Sequence, residues 1–329
     1  MSHELEFMED GRAKIAYRGN IPWHGLGQHM GMDDSVQDWR EAAGHDFEVF
    51  KTPDFINLEN EWIEAGTEKL IRNVDNKILS TVSEEWEPVL MEEFWDFFEK
   101  FCKQEDLDLE TAGVIKDGKI CWILAKIRSE AFELFGMDVS EPYLLFTNFY
   151  IYGRATDVRT TFIRAVCNNT VSAALSKGSK NYIKLNHRQK FDPERAAEML
   201  GMARERFAEY KEMATFLSKR KATKKVMVDY FKDLLPGPGL KKPEETDDKL
   251  RAGLSLQGRN AYDALEEQPG AEFGEGTWWQ AFNSITYTVD HKMGRHVSNR
   301  LENGWYGNGS RLKTKALEKA IEYAEASSS

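Results

Sequence analysis

Residues 109–128 constrain the fold more than any other stretch. Two apolar runs, LETAGVI and ICWILAKI, flank Lys116-Asp117-Gly118-Lys119. Asp-Gly between strand-like runs is a strong hairpin signal, because glycine takes up positive φ with no Cβ to clash. The stretch predicts two antiparallel strands. A lone two-stranded hairpin is marginal in water, so more strands or a helix must cover it. The neighbouring sequence supplies both. Residues 47–83 read as short strands with a turn at Val74-Asp75-Asn76-Lys77. The run PYLLFTNFYIY at 142–152 has the Tyr and Phe content of a half-buried strand. Between them, Pro88 to Lys103 changes period, and Leu90, Phe94, Phe97, Phe98 and Phe101 fall on one helical stripe.

A short extended piece and then a helix are expected at 162–177, FIRAVCNNTVSAALSK. Residues 193–235 are strongly helical in pattern, with Asp192 as N-cap and Pro193 in the first position. Pro236-Gly237-Pro238-Gly239 stops that run. Further helices are expected over 246–267, 277–291 and 310–326. Strands followed by helices give an α+β class: antiparallel strands and hairpins with packed helices first, then a mostly helical C-terminal part. This divides the chain into a core over 1–190 with an acidic N-terminal segment, and a helical region over 191–329 with a loop at 236–249.

No window approaches 18 uncharged apolar residues, so no membrane span is expected. The first twenty residues lack an apolar core, so no secretory signal is expected either. Cys102, Cys121 and Cys167 are too far apart for a disulfide framework or a zinc motif. The expected setting is a reducing cytoplasm.

The net charge is −11, from 44 basic and 55 acidic residues. Its distribution matters more than its total. Residues 1–110 hold 10 Lys/Arg and 27 Asp/Glu, a net of −17. Residues 154–225 hold 17 Lys/Arg and 7 Asp/Glu, a net of +10. The run from Lys177 to Lys190 contains no acidic residue. Arg154, Arg159, Arg164, Lys177, Lys180, Lys184, Arg188 and Lys190 are candidate phosphate contacts. Tyr182 and His187, interleaved among them, suit stacking on unpaired bases. Lys219-Arg220-Lys221-Ala222-Thr223-Lys224-Lys225 adds a second basic surface. No zinc finger or recognition-helix motif accompanies them, so duplex sequence readout is not expected.

Other chemistry is weakly signalled. Gly307-Asn308-Gly309-Ser310-Arg311-Leu312-Lys313 could cradle a phosphate at a helix start, or be a turn with an ordinary Ser cap. His24 and His29, like His291 and His296, are spaced five apart rather than four, so no metal is expected. Cys167 reads as a small core residue. The pair Asn168-Asn169 is unusual inside a helix and suits either an internal hydrogen-bond network or contact with a base or phosphate.

Several of these segments together resemble the phage/plasmid-like protein family, a domain of unknown function. They are Pro22-Trp23-His24-Gly25-Leu26-Gly27, Arg72-Asn73-Val74-Asp75 through Trp86-Glu87-Pro88-Val89, and Arg164-Ala165-Val166-Cys167-Asn168-Asn169-Thr170. Gly276-Thr277-Trp278-Trp279 with Asn283, Thr286, Asp290 and His291 follows, then Gly307 to Lys313 with Ala316. The resemblance implies a gene of phages and mobile elements acting in the host bacterial cytoplasm, with no established activity. A hairpin, strands and a helix leading into basic residues over 109–190 is also similar in architecture to Rad52-type single-strand annealing proteins.

The first expectation is therefore a protein that binds single-stranded DNA or RNA, with DNA annealing or recombination as its use. It needs no cofactor or membrane, and it allows a homo-oligomer. A second is an enzyme acting on nucleic acid or nucleotides through His24, Asn168, Asn169, His187, Asn283, Asp290 and His291. A third is an anti-defence protein whose acidic first third mimics DNA.

Overall fold

The structure is a computed structural model. It describes residues 6–8, 10–19, 26–104, 107–128, 131–164, 169–171, 182–185, 193–241, 248–294 and 297–327. Of these, 101, 103, 104, Arg164, 169–171, 182–185, 193–200, 297–299 and 301 are described by backbone alone. The class is α+β, with hairpins in the first half and helices in the second.

The chain opens with β1 (Ile15–Tyr17), β2 (Gln28–His29) and α1 (Val36–Ala43). Ser35 caps α1 in a capping box: its hydroxyl accepts from the Asp38 N–H, and Asp38 accepts from the Ser35 N–H. Ser35→Ala is expected to cost about 1 kcal/mol, read as a lower urea midpoint with unchanged m-value. Then come β3 (Val49–Leu58), β4 (Glu61–Arg72), β5 (Lys77–Val82) and α2 (Met91–Gln104). They are followed by β6 (Leu107–Ile115), β7 (Ile120–Ile127), β8 (Phe132–Leu134), β9 (Asp138–Phe149) and β10 (Thr156–Arg164). The expected hairpin is β6–β7, and its turn takes positive φ at Lys116, Asp117 and Gly118. Next are β11 (Asn169–Val171), β12 (Tyr182–Leu185), α3 (Pro193–Ser218) and α4 (Lys224–Leu234). The last elements are α5 (Lys249–Ala252), α6 (Leu256–Glu267), α7 (Trp278–Tyr287), α8 (Val297–Trp305) and α9 (Asn308–Ala326).

The expected helix at 162–177 is overturned where the chain is described. Thr156–Arg164 and Asn169–Val171 are antiparallel strands, with Phe162 opposite Val171 and Arg164 opposite Asn169. TDVRTTFIR is rich in β-branched and aromatic residues, and pairing on a sheet rewards them more than a helix does. Asn169 therefore stands on a strand, and Cys167 and Asn168 lie outside the described residues.

The chain divides into two compact units that interleave in sequence. The first takes residues 1–129, 143–159 and 182–202, and the second takes 130–142, 160–181 and 203–329. In the first unit the sheet order is β10, β9, β7, β6, β1, β2, with β12 also on β10. Helix α2 buries Phe94, Trp95, Phe97 and Phe98, and the rings of Phe97 and Phe98 meet Phe146 of β9 edge-on at 5.8 and 5.3 Å. A three-stranded sheet, β3-β4-β5, completes this unit. The second unit centres on α7, whose residues Trp278 to Thr286 are all buried. Around it pack Phe162, Phe207, Tyr210, Tyr230, Phe231 and Leu317. Two buried polar bonds fix this core: Trp279 Nε1 donates to Asp138 at 2.7 Å, and Tyr230 Oη donates to the Ala316 carbonyl at 2.9 Å.

Candidate functional site

The first candidate is the basic strand pair β10–β12 in the first unit. Its register sets Tyr182 opposite Arg159 and Lys184 opposite Asp157. Four of the residues singled out for nucleic acid, Arg159, Arg164, Tyr182 and Lys184, thus come onto two adjacent strands. Arg159 is not held out to solvent: its Nη2 sits 2.7 Å from Asp157, and the guanidinium is 17% exposed beside a buried carboxylate. Arg154 lies over the Phe149 ring at 4.6 Å. A cation–π contact of this kind stacks the planar guanidinium on the ring face. Arg164 ends β10, and Lys177, Lys180, His187, Arg188 and Lys190 lie outside the described residues.

The second basic surface is described in full. Lys219, Lys221, Lys224 and Lys225 are all exposed where α3 gives way to α4. Thr223 caps α4, its hydroxyl accepting from the Val226 N–H, and this stops the two helices from running on as one.

The third candidate is a polar cluster in the second unit. Thr277 caps α7 and Asn283 sits on it, donating from Nδ2 to the Trp279 carbonyl at 2.9 Å. Past Tyr287 the helix widens into a π turn, Thr288–Lys292, which carries Asp290 and His291. Such single-turn widenings recur at functional sites because they re-aim a side chain out of helical phase. Asp290 accepts from the Lys313 ammonium at 2.7 Å. Lys313 is wholly buried in α9. Burial holds its ammonium below the ordinary lysine range, while Asp290 draws it back up. A Cβ on Gly304 would stand 3.0 Å from Asp290 Oδ1, so the pair is walled by a residue with no side chain. His291 lies against the Tyr287 ring at 4.5 Å, and its carbonyl accepts from Arg300. Strand β11, with Asn169, packs beside both α7 and α9.

The family described as "Domain of unknown function (DUF932)" matches residues 78–316. The chain belongs to that family. Neither the curated proteins nor the solved structures hold a match to it.

The family stretch runs from β5 into α9 and contains the whole polar cluster. Of the seven enzyme candidates, Asn283 lies on α7, Asp290 and His291 on the π turn that continues it, and Asn169 on β11, which packs beside α7. His24, Asn168 and His187 lie outside the described residues. The phosphate-cradle reading of Gly307–Lys313 meets an occupied helix start. The Gly309 N–H is taken by Asn303 Oδ1 at 2.9 Å, and Lys313 faces Asp290. The Lys313–Asp290 pairing went unseen in the sequence because the two lie 23 residues apart, with only a lysine in a Gly-rich segment as a signal.

The segment Arg72-Asn73-Val74-Asp75, just upstream, is structural. Arg72 is buried and grips Asp75 through Nε and Nη2 at 3.0 and 2.6 Å, and Glu6 through Nη1 at 2.6 Å. Asn73 Oδ1 accepts from the Glu48 N–H, tying the turn to the start of β3. Among the described residues no group of His, Cys, Asp and Glu is placed to hold a metal, and no helix is long and apolar enough to cross a membrane.

Proposed function

We propose that this is a phage-type protein that binds single-stranded nucleic acid through its basic middle segment, in the service of DNA annealing or recombination. The observation that carries the reading is the +10 charge of residues 154–225 in a chain of net −11. The pairing of β10 with β12 supports it by gathering Arg159, Tyr182 and Lys184 on neighbouring strands. Arg154, Lys184, Arg188 and Lys190 contact phosphates, and Arg164, Lys177 and Lys180 add charge from the same segment. Tyr182 and His187 meet the bases. Arg159 contributes less, since Asp157 already neutralises it. Seven cations on a single strand give a slope of log affinity against log salt of about −5. Tyr182→Ala removes one stacked base and weakens binding about tenfold. Mobility shifts with labelled single-stranded DNA and RNA across a salt series test both. Absent binding at low salt, or binding indifferent to salt, overturns the reading.

A second reading, an enzyme acting on nucleic acid or nucleotides, is favoured by one observation. Asp290 and Lys313 form a buried ion pair at the π turn that continues the helix carrying Asn283. A buried lysine held below its usual range is the kind of group that active sites keep. Incubation with labelled single-stranded DNA and with nucleoside triphosphates, resolved by chromatography, decides it. Unaltered substrate in both assays removes the enzyme reading. The DNA-mimic reading draws less support, because carboxylates of the acidic third are used in local pairs: Glu6 with Arg72, Asp54 with Lys69, Glu68 with Lys51 and Asp75 with Arg72.

A further inference from the structure

Strand β5 pairs with β4 only over Glu68–Arg72, and among the described residues no other strand pairs with the rest of the β3–β4 hairpin. Beyond Pro53 and Glu68 the chain forms a two-stranded arm that turns at Glu59-Asn60, both at positive φ. The arm is apolar on both faces. Ile56 opposes Ile63 beside Leu58 on one face, while Phe55 and Trp62 stand on the other, and all five are exposed, Trp62 at 71%. A two-stranded ribbon with two bare apolar faces is marginal in water and gains stability from a partner. The arm also carries Glu59, Glu61 and Glu64 at its tip, and no Lys or Arg occurs between Asp54 and Glu68. Those carboxylates repel nucleic acid and anionic lipid, and they attract a basic protein surface. This chain presents one at Lys219, Lys221, Lys224 and Lys225, where Lys224 also pairs with Glu266 and Lys221 donates to the Glu275 carbonyl. Lysine fits this arm well, since its aliphatic stem covers apolar surface while its ammonium meets a carboxylate or an indole face.

The geometry points to a head-to-tail contact in which the acidic, apolar arm 54–68 of one copy docks on the lysine cluster 219–225 of a second copy. The interface is heterologous, so it propagates into a ring or a filament. It also occupies a basic surface that nucleic acid would otherwise reach.

The test uses the full chain free of nucleic acid, in sedimentation velocity over a concentration and salt series. Wild type is expected to self-associate with rising concentration and to dissociate in high salt. One variant carries Glu59→Lys, Glu61→Lys and Glu64→Lys. The other carries Lys219→Glu, Lys221→Glu, Lys224→Glu and Lys225→Glu. Each alone is expected to be monomeric, and an equimolar mixture to reassociate, because every arm then meets an opposite charge. A wild type that stays monomeric, salt-indifferent association, or folded variants that fail to reassociate overturn the inference. Zero-length carboxyl-to-amine coupling on wild type, mixing unlabelled and ¹⁵N-labelled copies, decides the matter if a variant misfolds. Links from the arm to 219–225 between differently labelled copies support the contact. Links only within a copy, only between arms, or none overturn it.

Discussion

Lys313→Met is expected to destabilise the protein by about 3–5 kcal/mol, because it removes the ammonium that balances the Asp290 carboxylate in a buried site. The lysine is wholly buried, and its ammonium is 2.7 Å from the carboxylate. The pair is not thereby a large net stabiliser, since burying both charges costs about as much as their attraction returns. A double variant therefore separates the two effects. Asp290→Asn with Lys313→Met removes both charges while keeping the volumes close, and it should recover most of the loss. Urea unfolding of the wild type, both single variants and the double completes the cycle. A Lys313→Met loss below about 1 kcal/mol would mean that water reaches the pair. Gly304→Ala is a milder probe of the same place, because its methyl would press on Asp290.

Acid should weaken the protein in a defined window through His45. The ring is wholly buried, its Nε2 is 2.8 Å from the Gly113 carbonyl, and its Nδ1 lies 3.1 Å from Trp95 Nε1. The indole N–H can only donate, so Nδ1 accepts, and the proton of the neutral ring sits on Nε2 facing Gly113. Burial holds this imidazole down to about 4, against the pull of the Gly113 carbonyl. The unfolded chain takes up a proton near 6.5, and the folded one only near 4. The folded-state value is the lower one, so the stability is full above 6.5 and drains as the pH falls from 6.5 to about 4. At about 1.4 kcal/mol per unit, the loss across the window is about 3 kcal/mol. Urea midpoints at half-unit pH steps should fall for wild type and stay flatter for His45→Gln. Equal slopes in the two proteins would place the acid sensitivity elsewhere.

Local chemistry was readable from the sequence, and distant pairing was not. The β6–β7 turn is written in Asp117-Gly118, and α2 in its stripe of phenylalanines, because each signal lies within one element. Helix α1 is not among the predicted elements, although Ser35 with Asp38 three residues on forms its capping box. The stretch 162–177 misled because Phe162, Ala165, Val166 and Thr170 also suit a helical stripe. Its pairing partners decide the matter, and they lie elsewhere on the chain. For the polar cluster, Asp290 and His291 stood out by residue type. What brings Asp290 to Lys313 is a π turn, which leaves no mark in hydrophobic period. His45 carried no local signal, since its role comes from Trp95 and Gly113 on other elements.

Strands β9 and β10 and helix α3 each give one end to the first unit and the other end to the second. No contiguous fragment therefore contains either unit alone. During synthesis the first unit lacks its last stretch until residue 202 has left the ribosome. Its earlier strands wait for that stretch, and β10 waits for β12 until residue 185 is made. Every truncation between residues 130 and 202 damages both units. Biochemical dissection of this protein has to proceed by point substitution.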